Sequence, residues 1–209
     1  ASNPLRVLQV IVNGCSATLN AAIRLSHLKK YLNVSSGLIY GPQPLGLIGI
    51  PENFGGGPDC NTVFSCYAEA KRCAETLCSI HRSQYKMPIV TVRPFAFIGP
   101  YQMLDRPWAV NNFVRDSLMG GSIRILGDGE TVRSYMYPSD MAFWLLRILI
   151  DGTIGFSYNI GSPKGITLRQ LAEEISNNFT VKPKIISNLE NNKNIHRSIF
   201  VPDISLAVK

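Results

Sequence analysis

The chain has 209 residues, of which 45% are hydrophobic, and a formal charge of +7 at neutral pH. It can bury a core, in one large domain or two small ones. No apolar run approaches the roughly 20 residues that cross a bilayer, and residues 1–6 lack the pattern of a signal peptide. The charge suits an anionic ligand. It is scattered and has no accompanying basic-aromatic motif, which argues against nucleic acid.

The first half of the chain alternates predicted helices and strands. Apolar residues at helical spacing predict a helix over residues 13–27, and residues 31–36 predict a buried strand. The Gly- and Pro-rich residues 41–64 predict a long irregular loop that borders a site. A second helix is expected over residues 65–85, and a central strand over residues 89–94. The predicted buried stripe of that second helix consists of Cys66, Ala70, Cys73, Leu77 and Ile80.

The second half predicts shorter elements. Helices are expected over residues 109–119, 140–150 and 167–179, strands over residues 123–126, 133–137, 156–160 and 184–187, and loops over residues 127–130 and 188–194. The helix over residues 140–150 is apolar all round, which predicts that it is buried.

The order of these elements indicates an α/β fold. Strands that alternate with helices predict a doubly wound parallel sheet, followed by a smaller mixed α/β region. We place the boundary between Pro94 and Ala109. Residues 1–100 then form the first domain, and residues 101–209 form a second region that returns elements to it.

The cysteines favour a reducing compartment. Their number is odd, they form no CxxC pair, and the three histidines do not cluster with them. This pattern favours reduced thiols over a disulfide framework or a zinc site. We expect a globular cytoplasmic protein without a metal. The cysteines are Cys15, Cys60, Cys66, Cys73 and Cys78.

Two pairs of side chains form a candidate site. Ser35 and Ser36 lie at the carboxyl end of the first predicted strand, and ligands in open α/β sheets bind beyond the carboxyl ends of strands. Tyr67 and Lys71 lie four residues apart on a predicted helix and therefore share a face. An adjacent ammonium lowers the pKa of a phenol, so the pair can move a proton to or from a substrate hydroxyl. Two solvated side chains on a helix are the common alternative.

Four motifs, in this order and at these intervals, resemble the extended short-chain dehydrogenase/reductase family, and more narrowly its nucleotide-sugar epimerases and dehydratases. They are VSSGLIYG at residues 34–41, Tyr67-x-x-x-Lys71, RPFAFIGP at residues 93–100, and GDG at residues 127–129 with RSY at residues 133–135. Residues 201–203 resemble the family's late segment. The resemblance covers nearly the whole chain and implies a Rossmann-like fold.

The resemblance implies a catalytic set and a cofactor. Tyr67 would be the acid/base on the sugar oxygen, Lys71 would lower its pKa and hold the nicotinamide ribose, and Ser36 would hydrogen-bond the same sugar oxygen. Ser35, Tyr67, Lys71, Pro94 and Phe95 would contact the cofactor, which is NAD, with NADP not excluded. Hydride would pass to and from the nicotinamide, while the protein orients the substrate and transfers the proton.

The resemblance also implies substrate contacts. Arg133 would bind the diphosphate of the sugar nucleotide, because a guanidinium can grip phosphate oxygens with two hydrogen bonds. Arg197 would be a second such residue, and Asn112 would contact sugar or diphosphate. Asn13 matches a helix asparagine that helps to position the catalytic group, although Asn13-Gly14 also fits a turn. Each of these four residues has a purely structural alternative.

The chain departs from the family at its start. The Gly-rich phosphate loop after the first strand is absent, and residues 55–57 do not replace it because they neither follow a strand nor open a helix. We expect an N-terminally incomplete sheet, in which about two βαβ units of about 30 residues each are missing. If the chain were complete, tight NAD binding would be in doubt and the sheet edge would favour aggregation.

The second departure concerns the reaction. The family's sugar 4,6-dehydratases have an Asp-Glu pair after the catalytic Ser/Thr, where this chain has Gly37 and Leu38, and its decarboxylases also rely on an acidic residue there. Neither side chain can transfer a proton, which disfavours elimination. Epimerisation is the leading hypothesis, with a 4-keto reductase, a dehydratase with displaced acid/base residues or a non-catalytic binding protein as alternatives. Family resemblance also implies a homodimer through the first two helices.

Overall fold

The computed structural model describes residues 3–187 and 198–209. The helices are α1 (Pro4–Ala22), α2 (Cys66–Tyr85), α3 (Ala109–Leu118), α4 (Pro138–Asp151), α5 (Leu168–Asn177) and α6 (Ser205–Val208). The strands are β1 (Tyr31–Val34), β2 (Ile89–Pro94), β3 (Ile123–Ile125), β4 (Val132–Arg133), β5 (Ser157–Ile160), β6 (Ile166–Thr167), β7 (Ile185–Ser187) and β8 (Ile199–Phe200). Short 3-10 turns cover Gly37–Tyr40 and Val63–Ser65. The loop predicted over residues 188–194 lies outside the described residues.

Three parallel strands form the central sheet in the order β1-β2-β5, with β2 in the middle. Tyr31 of β1 lies opposite Ile89, and Val92 of β2 lies opposite Tyr158 of β5. Strands β1, β2 and β5 confirm the strands predicted over residues 31–36, 89–94 and 156–160, although β1 already ends at Val34. Because β5 comes from the second half of the chain, that half returns an element to the first sheet.

Helices cover both faces of this sheet. Ile89 shares a core cluster with Cys78 of α2, whereas the next residue, Val90, packs in a cluster with Ile148 of α4. Successive strand residues point to opposite faces, so α1 and α2 cover one face and α4 covers the other. The predicted doubly wound α/β fold is confirmed.

Helix α1 differs from the prediction at both ends. The predicted range 13–27 is wrong because the helix starts at Pro4 and ends at Ala22. Asn3 Oδ1 accepts a hydrogen bond from Arg6 N at 2.9 Å, and Pro4 occupies the first turn, where a missing N–H is tolerated. Leu5 is 65% exposed and belongs to no buried stripe, so periodicity does not reveal this start. The turn considered at Asn13-Gly14 is likewise wrong, since both residues are helical.

Helix α2 is confirmed, but its predicted buried stripe is wrong at two of its five residues. Cys73 and Ile80 are exposed, while Ala70, Ala74 and Cys78 are buried. The buried face is therefore rotated toward small residues, which let α1 approach closely. At this contact the thiol of Cys15 on α1 donates to the carbonyl oxygen of Ala74 at 3.7 Å.

Helix α4 is also confirmed, but its predicted burial all round is wrong. Ile148 is only 4% exposed, whereas Phe143, Leu146 and Ile150 are 63%, 60% and 71% exposed. Only the face toward the sheet is buried. Within the described ranges, every helix is too short or too polar to cross a lipid bilayer.

The second region contains two small sheets. In one, β3 and β7 are parallel and pack with α3 and α5 around Phe113 and Ile123. In the other, β4 lies between antiparallel β6 and parallel β8. The strand predicted over residues 133–137 is wrong beyond Arg133, because Met136 leaves β4 to bridge Phe97. The predicted cap of α5 is confirmed: Thr167 Oγ1 accepts from Gln170 N at 3.1 Å.

Candidate active site

The carboxyl end of β1 carries two buried serines. The backbone N–H of Ser35 donates to the carbonyl oxygen of Val92 at 2.8 Å, which extends the pairing of β1 with β2. Ser36 caps the 3-10 turn Gly37–Tyr40, since its Oγ accepts from Leu38 N at 3.2 Å. A hydroxyl that accepts a hydrogen bond still has a proton to donate. Ser36 can therefore donate to a ligand oxygen, and the buried Ser35 Oγ has no partner among the described residues.

Tyr67 and Lys71 lie on the first turns of α2 and face the same side. Lys71 Nζ is 5.8 Å from the centroid of the Tyr67 ring and donates at 2.7 Å to the carbonyl oxygen of Val34, the last residue of β1. Burial lowers the pKa of Lys71, against a smaller opposing effect of Cys15. Tyr67 keeps 37% of its surface exposed. Lys71 therefore ties α2 to the strand end that carries the two serines.

A cavity of about 430 Å³ opens beside these elements. Of the predicted site residues, Ser36, Pro94, Phe95 and Arg133 line it, whereas Ser35, Tyr67, Lys71 and Asn112 do not. The lining side chains are mostly apolar. They are completed by Leu38, Ala96, Phe97, Gln102, Pro107, Trp108, Ala109, Val110, Thr131, Tyr135, Leu168 and Phe200. Residues 41–64, all of which the structure describes, form the predicted irregular loop but do not line this cavity.

Phe95 forms one wall of the cavity. It is 5% exposed, and its ring stacks on that of Phe200 with the centroids 4.8 Å apart. The same ring covers Gly37, where an added Cβ would lie only 2.7 Å from Phe95 Cε2. An acidic side chain at residue 37 therefore does not fit without movement of Phe95.

Arg133 brings a positive charge to the cavity. Its Nη1 donates to the carbonyl oxygens of Val132 at 2.7 Å and Ser198 at 3.2 Å, and it forms no ion pair with the described residues. Burial lowers the pKa of Arg133, against the opposing effect of Tyr135. Burial also raises the pKa of Tyr135, against the opposing effect of Arg133. A partly buried guanidinium whose described partners are neutral is well suited to an anionic ligand.

The remaining predicted site residues are not gathered at the cavity. Asn112 is partly buried on α3, where its backbone N–H donates to the carbonyl oxygen of Trp108 at 3.0 Å. Asn13 is exposed on α1. Arg197 lies outside the described residues.

A set of polar contacts beside the cavity, here called the Arg93 network, joins the elements of the site. Arg93 binds both carboxylate oxygens of Glu75 at 3.0 and 2.7 Å. Its Nη1 donates to Tyr40 Oη at 2.7 Å and to the carbonyl oxygen of Glu52 at 2.9 Å. Tyr40 Oη in turn donates to Asn159 Oδ1 at 2.8 Å. The network fixes α2, which carries Tyr67 and Lys71, relative to the turn that Ser36 caps.

Sequence patterns alone do not predict several residues at the site. Tyr135 stands in a quoted motif, but it lies beyond the end of β4, so no strand period assigns it to the cavity. Gln102 and Trp108 lie between β2 and α3 in a segment without periodicity, and they reach the cavity only through tertiary folding. Arg93 stands in a quoted motif, but its pairing with Glu75 depends on how α2 packs against β2.

Comparison with known proteins identifies the family. A family model described as the NAD dependent epimerase/dehydratase family matches residues 1–161. The chain belongs to this family. Among curated members, UDP-glucuronic acid decarboxylase 3 of Arabidopsis thaliana is 32% identical over 207 residues, covering 98% of this chain and 58% of the relative. UDP-glucuronic acid decarboxylase 1 of Xenopus tropicalis is 28% identical over 178 residues, covering 83% and 40%. This epimerase/dehydratase chain thus spans 58% and 40% of the length of these two relatives.

Solved structures confirm that the fold is that of sugar epimerases and dehydratases. UDP-glucose 4-epimerase from Thermotoga maritima, with UDP-glucose, superposes with a TM-score of 0.82 at 23% identity and covers 99% of this chain and 64% of that chain. A UDP-N-acetylglucosamine 4-epimerase from Methanobrevibacter ruminantium M1 gives 0.82 at 24% identity, covering 100% and 64%. A dTDP-glucose 4,6-dehydratase from Streptomyces venezuelae gives 0.78 at 21% identity, covering 97% and 60%.

Proposed function

We propose that the protein modifies the sugar of a nucleotide-diphosphate sugar by NAD-dependent hydride transfer coupled to proton transfer, with epimerisation as its reaction. The observation that carries this proposal is the contact of Lys71 Nζ with Val34 O at 2.7 Å. It holds the Tyr67 face of α2 against the strand end that carries Ser36, which lines the cavity. Membership of the NAD dependent epimerase/dehydratase family supports the same conclusion.

The proton-transfer steps follow from three side chains. Tyr67 takes the proton of a sugar hydroxyl as the sugar is oxidised and returns it on reduction. Lys71 places its ammonium 5.8 Å from the centroid of the Tyr67 ring, on the same side of α2. Ser36 donates a hydrogen bond to the same sugar oxygen and orients it.

The diphosphate of the substrate would bind to Arg133, which brings a positive charge to the cavity. Arg133 binds the phosphate oxygens, which replace the neutral partners of its guanidinium with anionic ones. Asn112 and Arg197 are proposed as further contacts to the sugar nucleotide, from family resemblance alone.

The described residues fit the reactive end of NAD. Ser35 has a buried hydroxyl without a partner among them, Lys71 offers an ammonium beside it, and Pro94 and Phe95 line the cavity. Ser35, Tyr67, Lys71, Pro94 and Phe95 would hold this end. When bound, the cofactor accepts a hydride from the sugar and returns it. The protein's own residues orient the sugar, hold the proton and exclude water with the apolar walls.

Epimerisation is favoured over elimination and decarboxylation because no acidic side chain follows Ser36. Leu38 lines the cavity instead, and a carboxylate at Gly37 would require Phe95 to move. Decarboxylation is the second candidate, since curated relatives such as UDP-glucuronic acid decarboxylase 3 are named for it. The remaining alternatives are that the protein is a 4-keto reductase, a 4,6-dehydratase or a non-catalytic binding protein.

The test is to incubate the full-length protein with NAD and a panel of nucleotide sugars in deuterated water, and to identify the products by NMR. The expected product is the 4-epimer without solvent deuterium at C5. Tyr67→Phe should lower kcat by about 10²- to 10⁴-fold, the usual contribution of general acid–base catalysis. Deuterium at C5 of a 6-deoxy-4-keto sugar would show dehydration. A pentose product from UDP-glucuronic acid, which also takes up solvent hydrogen at C5, would show decarboxylation. Unchanged activity of Tyr67→Phe would contradict the assignment of Tyr67.

We further propose a cytoplasmic homodimer with two regions, residues 1–100 and 101–209. The outward side of α1 supports the dimer, since Leu5 and Leu8 are 65% and 38% exposed on a helix already packed against α2. The free thiols support a reducing compartment.

A further inference from the structure

One polar atom in the cavity wall has no hydrogen-bond partner among the residues that the structure describes. Gln102 lines the cavity, and its Oε1 is buried without a hydrogen-bond partner in the described part of the chain. Buried acceptors are nearly always satisfied, because leaving one unpaired is unfavourable. The cavity contains side chains that can donate, such as Trp108, Thr131 and Tyr135, but none of the described residues forms a hydrogen bond with this oxygen. A bound ligand is therefore the natural source of the missing hydrogen bond.

The backbone has an unusual conformation just before Gln102 and is hydrogen-bonded to α3 just after it. Tyr101, directly before it, adopts a left-handed conformation with φ of 65°, which is strained for a residue with a side chain. Directly after it, the carbonyl oxygen of Met103 accepts from Asn111 Nδ2 at 2.7 Å, and that of Leu104 accepts from Arg115 Nη1 at 3.4 Å. Asn111 is fully buried on α3. The segment is thus anchored to α3, and its conformation keeps the Gln102 amide at the cavity.

The charges of the cavity restrict the ligand group that can meet this amide. Among the lining residues, all of which are described, Arg133 is the one that carries a formal charge. The proposed function assigns Arg133 to the diphosphate. A carboxylate on the sugar would then lie among aromatic and aliphatic walls without a described counter-ion, which is unfavourable.

We propose that Gln102 binds the sugar of the substrate, accepting a hydrogen bond from a hydroxyl or an amide N–H of an uncharged hexose or N-acetylhexosamine. This inference rests on the proposed function and adds to it the substrate class and a binding residue. Gln102 would therefore serve ligand binding at some cost to the stability of the free protein, as is common at binding sites.

The test compares Gln102→Met and Gln102→Leu, which keep the size of the side chain but remove its acceptor. Gln84→Met is the matched control, because Gln84 is exposed on α2 and does not line the cavity. Calorimetry measures the Kd of UDP, UDP-glucose, UDP-N-acetylglucosamine and UDP-glucuronic acid, and thermal unfolding measures Tm. Both Gln102 variants should bind at least one uncharged sugar nucleotide roughly three- to tenfold more weakly, the value of one neutral hydrogen bond. UDP binding and Tm should not decrease, and the control should match wild type.

The pattern of losses identifies the donor. Weaker binding of UDP-glucose assigns it to a hydroxyl, and a loss confined to UDP-N-acetylglucosamine assigns it to the amide.

Unchanged Kd values for both, or equal weakening of UDP, would overturn the role of Gln102. A lower Tm in both variants would show a structural role instead. Tighter binding of UDP-glucuronic acid than of either uncharged sugar nucleotide would overturn the substrate class. Failure of wild type to bind any of the four would overturn the proposed function itself.

Discussion

At the scale of single residues, Arg93 holds the candidate site together. Its contact with Glu75 is an ion pair with two hydrogen bonds, and the two side chains are only 12% and 16% exposed. Burial lowers the pKa of Arg93, but the bonds to Glu75 and Tyr40 outweigh this effect, so the pKa lies above its ordinary value. Arg93 is therefore charged at any physiological pH.

Breaking this pair should be costly. Glu75→Gln leaves the Arg93 charge largely buried without a counter-ion, and we expect the free energy of unfolding to fall by about 3 kcal/mol. Urea denaturation measures the change. The control is Asp151→Asn, which breaks the exposed pair of Arg147 and Asp151 and should cost less than about 1 kcal/mol. Equal effects of the two substitutions would contradict the importance of the Arg93 network.

Tyr40 should make stability depend on alkaline pH. Burial raises the pKa of Tyr40 from 10.0 to about 12, against the opposing effect of Arg93. Between these values the folded protein retains the proton that the unfolded chain loses, so the stabilisation present below pH 10 is lost as pH rises toward 12. The full loss amounts to roughly 2 to 3 kcal/mol.

The measurement is urea denaturation at pH 7, 9, 10 and 11. Tyr40→Phe should show a smaller fall in unfolding free energy above pH 9 than wild type, although it is less stable at pH 7 because Arg93 and Asn159 lose a partner. Tyr137→Phe is the control, since Tyr137 is 52% exposed and should leave the pH dependence unchanged. Parallel pH profiles of Tyr40→Phe and wild type would contradict the expectation.

At the scale of elements, helix α4 presents one buried and one exposed apolar side. We expect Ile148→Ala to lower the free energy of unfolding by roughly 2 to 4 kcal/mol, because it leaves a cavity against Val90 of β2. Leu146→Ala removes a side chain that is 60% exposed and should change it by less than about 0.5 kcal/mol. Chemical denaturation compares the two variants. A larger effect of Leu146→Ala would show that the helix is rotated.

Elements with sharp local boundaries can be predicted from sequence. Strand β2 is predictable at both ends because the four β-branched residues 89–92 follow Pro88, and Pro94 ends the strand. The burial of α4 is hard to predict, since its exposed side carries the large apolar residues Phe143, Leu146 and Ile150. Strands β6 and β8 have two residues each, and their pairing with β4 is a tertiary event that leaves no periodic signal.

Some residues of the candidate site can likewise be predicted from sequence, and others cannot. Ser36, Tyr67, Lys71 and Arg133 lie in short motifs whose residue types suggest their chemistry. Gln102 reaches the cavity through a left-handed residue and two contacts with α3, none of which is visible in the sequence.

At the scale of the whole molecule, the proposed dimer makes a prediction about α1. Leu8→Glu places a charge on the outward side of α1 and should shift the protein from dimer to monomer. Light scattering coupled to gel filtration measures the mass. Leu146→Glu on α4 is the control, because it adds the same charge at another exposed apolar residue and should leave the dimer intact. A monomeric wild type would contradict the proposal.

The contacts of Asn159 determine when the site can form during folding. Its side chain accepts from Tyr40, which lies 119 residues earlier, and donates to the carbonyl oxygen of Ile50, which lies 109 residues earlier. Closing such long loops is slow, because the entropy is lost before the contacts are gained. During synthesis the turn capped by Ser36 leaves the ribosome well before Asn159 does. We therefore expect the geometry of the candidate site to form late, after β5 has been synthesised.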